Sequence, residues 1–135
     1  MNPTPIKMVR GAALTFGLTL AVAGAQAGDV IAHPSVSLSA DEVKELFQGD
    51  KQLLGSVKLV PVDNAAVQPE FAAKVLHIEV PKYTSLWIKQ SFREGLNAPA
   101  VKSNDAEVVA FVKSTPGAVG YVSVAPAGVR VIARY

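Results

Sequence analysis

The hydrophobic positions of this chain alternate between two spacings, which predicts that strands and helices follow one another. A short apolar stretch over 29–33 predicts the first strand. A helix is predicted next, because Ser39 and Glu42 have the spacing of a capping box and Gly49 supplies a stop. The apolar stripe of that helix has the spacing i, i+3 and i+4 and consists of Val43, Leu46 and Phe47.

The middle of the chain predicts a second strand and a second helix. The stretch 57–62 is rich in valine, although Pro61 predicts that this strand ends early or lies at a sheet edge. A loop over 63–68 leads to a helix with Pro69 in its first turn, where a missing amide donor costs little. The buried side of that helix is predicted to carry Phe71 and Val75.

A third helix is predicted from Pro81 to Phe92 or Gly95. The stretch 82–93 interleaves three basic residues with apolar ones, which is typical of an amphipathic helix with one solvated side. The inward positions of this helix are predicted to be Tyr83, Trp87 and Ile88.

The last part of the chain predicts one more helix between strands. Val101 indicates a short strand, and Ser103 or Asn104 is expected to cap a helix with an apolar face. Two strands over 119–124 and 129–133 are separated by a link short enough to predict a hairpin. The expected fold is therefore α/β, with a mixed sheet flanked by helices. The core positions of the fourth helix are Val108, Phe111 and Val112.

The first 27 residues have the pattern of a secretory leader. Lys7 and Arg10 precede an uncharged apolar run over 11–23, and Ala25 and Ala27 occupy the two small positions that a signal peptidase reads. A membrane anchor is the alternative, but the run is shorter than the ~20 residues that span a bilayer. We therefore expect a signal peptide over 1–27, a periplasmic or secreted domain over 28–135, and no stable membrane span after cleavage.

Removal of the leader changes the charge of the protein. The full chain has 13 Lys and Arg against 11 Asp and Glu, and two of the basic residues leave with the leader. The remaining domain is formally neutral, so no clustered basic face predicts a nucleic-acid partner.

The residue types that carry most enzyme chemistry are missing or isolated. The chain has no cysteine, which excludes thiol catalysis and cysteine-type zinc sites. His33 and His77 stand alone, without the spacing of metal ligands, and no nucleophile elbow or carboxylate cluster is present. We expect no catalytic residue, no metal and no cofactor.

Three segments carry a pattern beyond secondary structure. They are Leu38-Ser39 followed by Leu-Phe-Gln-Gly-Asp-Lys at 46–51, then Leu-Val-Pro-Val at 59–62 leading to Phe71, and Ser-Thr-Pro-Gly-Ala-Val-Gly-Tyr at 114–121. With the spacing of Trp87, Phe92, Gly95 and Pro99, they resemble the phosphate-binding subunits of bacterial phosphate ABC transporters. The resemblance covers most of residues 30–133, and the third segment is its most specific part.

The resemblance implies a fold and a function. Members of that family close two lobes around their ligand, and residues 28–135 have room for about one lobe of a type II periplasmic-binding-protein-like fold, similar to the second. The implied function is a non-catalytic periplasmic solute-binding module. Its implied partners are phosphate or another small anion and an ABC transporter permease.

The ligand loop departs from the family pattern. In the family it holds an Arg, followed by Ser-Gly-Thr before the helix, whereas residues 63–70 here read Asp-Asn-Ala-Ala-Val-Gln-Pro-Glu. Pro69 removes a backbone donor, and Asp63 and Glu70 add negative charge where an oxyanion would lie. The remaining ligand-binding candidates are Ser39, Asn64 and Gln68.

Two hypotheses of function remain open. The first is the solute-binding module, with a homodimer that places two lobes face to face to rebuild a cleft. The second is a single-lobe envelope interaction or sensory module that has lost anion binding. The second hypothesis predicts an exposed apolar patch where the other lobe once packed.

Overall fold

Twelve helical and extended segments succeed one another in the computed structural model, which describes residues 27–135. The predicted leader lies outside these residues, apart from Ala27. The segments are β1 (Asp29–Ala32), α1 (Ala40–Gln48), β2 (Leu53–Leu54), β3 (Val57–Lys58), β4 (Val60–Asn64), α2 (Gln68–Phe71), a π-helical turn (Ala72–Leu76), α3 (Val80–Glu94), β5 (Ala100–Lys102), α4 (Asp105–Ser114), β6 (Ala118–Val122) and β7 (Arg130–Arg134).

The main sheet has five strands in the order β5-β4-β6-β1-β7. Strand β4 pairs in parallel with both β5 and β6, whereas β1 pairs antiparallel with β6 and β7. A separate small ribbon joins β2 to β3. The prediction of an α/β fold with a mixed sheet is therefore confirmed.

Helices cover both faces of this sheet. Successive residues of β6 alternate between the faces: Val119 and Tyr121 pack with α1 and α3, while Ala118 and Val122 pack with α4. Gly120 also faces α4, and a Cβ built on it would lie 2.6 Å from Cγ1 of Val108. Helix α4 therefore approaches the sheet so closely that only glycine is accommodated at this position.

The predicted hairpin between the last two strands is wrong. Strand β1 lies between β6 and β7 and pairs with both, so the seven residues of the link 123–129 run the length of β1 on the α4 side. A short link rich in turn residues is typical of a hairpin, but β1 holds the pairing edge of both strands. Pairing between residues distant in the chain overrode this local signal.

Strand β4 corrects the predictions for its region. It continues to Asn64, so the first two residues of the expected loop are strand residues and are buried. Pro61 does not place β4 at a sheet edge, since β4 lies between β5 and β6. The ladder to β5 begins only at Val62, which leaves Pro61 outside the hydrogen-bonded register on that side.

Helix α3 differs from its prediction in one inward position. Tyr83 and Trp87 are buried as expected, and the helix ends at Gly95 in the left-handed conformation. Ile88 is 59% exposed, so its predicted inward orientation is wrong. Tyr83 and Trp87, at i and i+4, form the buried stripe of this helix, and Ile88 lies beside that stripe on the exposed side.

Candidate functional site

A groove of about 380 Å³ opens beside the carboxyl end of β4. Helix α3 forms one wall, and the segment that leads into β5 forms the other. The groove contains no basic side chain, and its lining combines one carboxyl group and one amide group with apolar and hydroxyl groups. Its residues are Asp63, Gln68, Tyr83, Thr84, Trp87, Ile88, Ser91, Phe92, Ala98, Pro99 and Val101.

Asp63 is the buried polar residue of this groove. It is 2% exposed, and its carboxylate accepts hydrogen bonds from two tyrosines. The Tyr121 hydroxyl donates to Oδ1 at 2.8 Å, and the Tyr83 hydroxyl lies 3.0 Å from both carboxylate oxygens. No basic side chain in residues 27–135 forms a salt bridge with Asp63. The groove therefore holds a carboxylate whose charge is met by hydroxyl dipoles alone.

Burial also changes the titration of these groups. Loss of water around the carboxylate raises the pKa of Asp63 to about 6, although the hydrogen bonds from Tyr121 and Tyr83 act in the opposite direction. Burial and the neighbouring carboxylate raise the pKa of both tyrosines far above the usual value. Near neutral pH, Asp63 is mostly ionised and both tyrosines are protonated donors.

Two aromatic side chains of α3 are held rigidly over the site. The Trp87 indole Nε1 donates to the Phe47 carbonyl at 3.0 Å, which ties α3 to the end of α1. Tyr83 lies one turn earlier and is fixed by its bond to Asp63. Because both polar atoms are already bonded, the rings present mainly apolar surface to the groove.

The mouth of the groove is lined by exposed apolar side chains. Phe92 is 87% exposed, Ile88 is 59% exposed, and Val101 on β5 is 59% exposed. We call these three residues the apolar rim. Large apolar side chains grouped at the mouth of a groove are typical of a surface that binds a ligand or another protein.

The predicted ligand candidate Asn64 lies on the opposite side of the sheet, away from the groove. Its amide nitrogen donates to Asp105 Oδ1 at 2.8 Å and to the Tyr121 carbonyl at 3.0 Å, and its oxygen accepts from the Ala66 amide at 3.0 Å. It is fully buried. Three hydrogen bonds within the protein engage this side chain, and the geometry assigns it to joining β4 to α4.

The candidate Ser39 does not line the groove either, and its side chain contacts α1. Its hydroxyl accepts from the Glu42 amide at 3.2 Å, and the Glu42 carboxylate accepts from the Ser39 amide at 2.9 Å. The predicted capping box is therefore present. The bond from the Ser39 backbone, which is the largest influence, helps to lower the pKa of Glu42.

Gln68 is the predicted candidate that lines the groove. It is half-buried at the first position of α2, and none of the side-chain hydrogen bonds within residues 27–135 uses its amide group. Of the three sequence-predicted candidates, the structure brings only this one to the groove.

Asp63 and the aromatic pair beside it were missed as site residues by sequence reasoning. The sequence predicts Asp63 to be a loop residue that adds negative charge and the aromatic pair to belong to the core. The period-2 alternation of β4 extended by two residues would have placed Asp63 on the side of α3. The partner tyrosines come from positions 20 and 58 residues further along, which no local pattern indicates.

Four basic side chains line a cavity away from the groove. A separate cavity of about 220 Å³ between α1, the π-helical turn and β7 is lined by four basic residues, Lys44, Lys74, His77 and Arg134, and by Asp41. Arg134 forms a salt bridge with Asp29 at 3.2 Å. Residues 63–70, which stand in the place of the family's ligand loop, contain none of the cationic groups that an oxyanion would need.

Neither a family model nor a curated protein matches this chain. Across the described part of the chain, no helix is long and apolar enough to cross a bilayer. Within the same residues, no three or more His, Asp or Glu side chains lie close enough together to hold a metal ion.

Proposed function

We propose that this chain acts after export as a non-catalytic solute-binding module and that the groove beside β4 is its ligand site. The observation that carries the proposal is the combination of one buried carboxylate, Asp63, with a lining that is otherwise mostly apolar and aromatic. Apolar clefts with a few convergent polar groups are the usual form of small-molecule sites. The resemblance to periplasmic phosphate-binding subunits supports the exported, non-catalytic character.

The position of the groove in the fold supports the same proposal. Strands β5, β4 and β6 run parallel, and Asp63 lies one residue before the carboxyl end of the central one. Ligands of open α/β sheets bind outside the carboxyl ends of the strands. A type II periplasmic-binding-protein-like lobe would place its ligand at this end of the sheet.

The chemistry of the groove opposes phosphate as the ligand. Asp63 contributes a negative charge, and the first turn of α2 contains Pro69, which has no amide hydrogen, and Glu70. An anion in the groove would meet the carboxylate of Asp63 and no cationic side chain of the lining. Delivery of a solute to an ABC permease remains part of the proposal through the resemblance alone.

Nuclear magnetic resonance of the isotope-labelled exported protein tests the proposed site. The full chain is expressed with its leader, purified from the periplasm and screened against a mixed library of small solutes, with phosphate and sulfate included. Hits are expected to shift the Trp87 indole N–H together with the amides of Gln68 and Ile88, while phosphate and sulfate shift none of these signals. A screen in which no solute moves this group, or in which phosphate saturates it, contradicts the proposal.

A second function is favoured by the apolar rim. An envelope interaction module would expose apolar side chains where another chain docks, and Phe92, Ile88 and Val101 do so. Two copies that face each other through the rim would also enclose the groove as a cleft. Sedimentation of the exported protein separates the two functions. A dimer would support the solute-binding module with its rebuilt cleft. A monomer would support the interaction module, whose rim then binds a second protein.

A further inference from the structure

We infer that the groove beside β4 takes an organic cation with an apolar body, whose ammonium group pairs with Asp63 and whose hydrocarbon part lies against Trp87 and the apolar rim. This inference rests on the proposed solute-binding function and names the chemical class of the ligand. It follows from charge, from hydrogen-bond capacity and from the shape of the lining.

The charge of Asp63 is the first step. Its carboxylate lies in a lining that contains no lysine, arginine or histidine. The titratable groups that contact it are Tyr83 from α3 and Tyr121 from β6, and both are neutral donors. A buried carboxylate that lacks a charged partner is costly, and a bound cation would remove that cost.

The hydrogen-bond capacity of the carboxylate is the second step. Its two oxygens offer about four acceptor positions. Oδ1 accepts from the Tyr121 hydroxyl, and the single hydroxyl hydrogen of Tyr83 is shared between Oδ1 and Oδ2, which has no other donor among the residues that the structure describes. An ammonium group has three donors, so one can reach Oδ2 while the others meet the Gln68 amide oxygen or the hydroxyls of Thr84 and Ser91.

The remaining lining determines the rest of the ligand. Beyond Asp63 the walls are formed by Tyr83 and Trp87, and the mouth is formed by Ile88, Phe92 and Val101. Aromatic faces attract cations and bind hydrocarbon equally well. The volume of about 380 Å³ lies at the lower end of small-molecule sites, so the ligand is small.

An anion or a neutral molecule of the same shape lacks one part of this match. A carboxylate in the position of the ammonium would meet the charge of Asp63 at close range. A neutral alcohol would keep the apolar contacts and one hydrogen bond but would leave the charge of Asp63 uncompensated. Ligands of the same shape that are cationic, neutral or anionic should therefore differ in affinity because of their charge alone.

Three probes with the same six-carbon chain test the inference: hexylamine, hexanol and hexanoate. Trp87 is the single tryptophan of the chain and lines the groove, so its fluorescence reports occupancy. At pH 7.5 we expect hexylamine to saturate the signal, hexanol to bind at least about tenfold more weakly, and hexanoate not to bind.

Two variants with matched controls connect the probe to Asp63. Asp63→Asn keeps the shape and removes the charge, and it should weaken hexylamine at least about tenfold. Asp41→Asn, on the exposed first turn of α1, should leave the affinity unchanged.

Ile88→Arg changes an exposed residue and so tests the inference even if Asp63→Asn does not fold. It should also weaken hexylamine by charge repulsion, while Leu53→Arg on the β2–β3 ribbon should not.

The outcomes separate the inference from the proposed function. Equal or tighter binding of hexanol or hexanoate would keep the groove as a solute site and would overturn the cation assignment. Unchanged hexylamine binding by folded Asp63→Asn, or by Ile88→Arg, would overturn it as well. If no probe changes the Trp87 signal of the folded protein, the cation assignment fails, and the solute-binding function fails with it only when the library screen also gives no hit.

Discussion

At the scale of single residues, two adjacent polar side chains at the end of β4 have opposite surroundings. Asp63 faces Tyr83 and Tyr121 beside the groove, and Asn64 faces Asp105 beneath α4. The pleat of the strand sends neighbouring side chains to opposite faces. Burial alone would raise the pKa of Asp105, but hydrogen bonds led by those from Ser123 and Asn64 lower it overall. Burial thus destabilises the ionised carboxylate at the end of β4, whereas donors stabilise the ionised carboxylate of Asp105 at the start of α4.

The raised pKa of Asp63 predicts a stability that falls as the pH rises. Between the usual value of 3.8 and about 6, the folded protein holds a proton that the unfolded chain has lost. The free energy of unfolding should therefore decrease across this window, by about 3 kcal/mol from Asp63 alone, and then level off above pH 6. Urea unfolding followed by Trp87 fluorescence from pH 4 to pH 7.5 measures this change.

Asp63→Asn is the variant that isolates this effect. Its unfolding free energy should lack the decrease that the wild-type protein shows between pH 4 and pH 6, because asparagine does not titrate. Asp41→Asn, an exposed control, should keep the wild-type slope. Parallel pH profiles for the wild-type protein and Asp63→Asn would show that the carboxylate titrates as an ordinary exposed group.

Asn64 is predicted to act in stability and not in ligand binding. Asn64→Ala removes three hydrogen bonds in a fully buried position and should lower the unfolding free energy by about 3 kcal/mol. Asn97→Ala, at an exposed position, should change it by less than about 0.5 kcal/mol. Denaturant unfolding measures both variants. A folded Asn64→Ala with wild-type stability and altered ligand affinity would return Asn64 to the ligand candidates.

At the scale of elements, the turn between α4 and β6 shows how a specific motif arises from packing. Gly117 has a φ of 83°, and a Cβ built on it would overlap the carbonyl oxygen of Lys58. Gly120, three residues later, is held between Val108 and Val62. The two glycines that make this segment resemble the phosphate-binding family thus meet requirements of backbone geometry. They support a resemblance of fold more directly than a shared ligand.

Gly117 and Gly128 form a matched pair for measuring this contact. Both have a positive φ, 83° and 86°, but a Cβ built on Gly128 meets nothing within 4 Å. Gly128→Ala should cost only the backbone strain, about 1 kcal/mol. Gly117→Ala should cost about 2 kcal/mol more, because the methyl group must displace β3. Thermal or urea unfolding of the two variants gives the difference, and equal losses would mean that the Lys58 carbonyl moves aside freely.

At the scale of the whole molecule, the groove lies on the side of the domain where the parallel strands end. Helices cover both faces of the sheet, while the groove and its apolar rim lie beside the carboxyl ends of the parallel strands. At the opposite edge of the sheet, Gly28 and Tyr135 exchange backbone hydrogen bonds of 3.0 Å. The start of the predicted mature domain is therefore part of the fold.

Export is the prediction that belongs to this scale. Expression of the full chain in a Gram-negative host should give a periplasmic protein whose intact mass begins at Gly28. Ala27→Phe in the full chain should block processing, because the peptidase reads small residues at that position. A control change outside the cleavage motif, Pro34→Ala, should be processed normally. Recovery of the full-length mass from the membrane fraction would support the anchor alternative instead.

The sequence by itself determined the type and chain order of most helices and strands of this protein, although it did not predict the β2–β3 ribbon or the π-helical turn. Apolar spacing and short-range caps predicted α1 with its capping box, the end of α3 at Phe92 or Gly95, the cap of α4 at Ser103 or Asn104, and strands over 29–33 and 119–124. The structure has the capping box, Gly95 and Asn104 at these places and strands over 29–32 and 118–122. These features depend on residues a few positions apart, so a local pattern is sufficient to specify them.

Only the tertiary structure decided the strand order, the exposure of Ile88 and the composition of the groove. Strand β1 separates β6 from β7 through pairings about 90 to 105 residues apart, which a hairpin signal within 123–129 cannot reflect. Asp63 acquires its partners from α3 and β6 in the same way. Burial, hydrogen bonding and pKa at this site are properties of segments that meet only in the folded chain, and for that reason the candidate ligand changes from an anion to a cation.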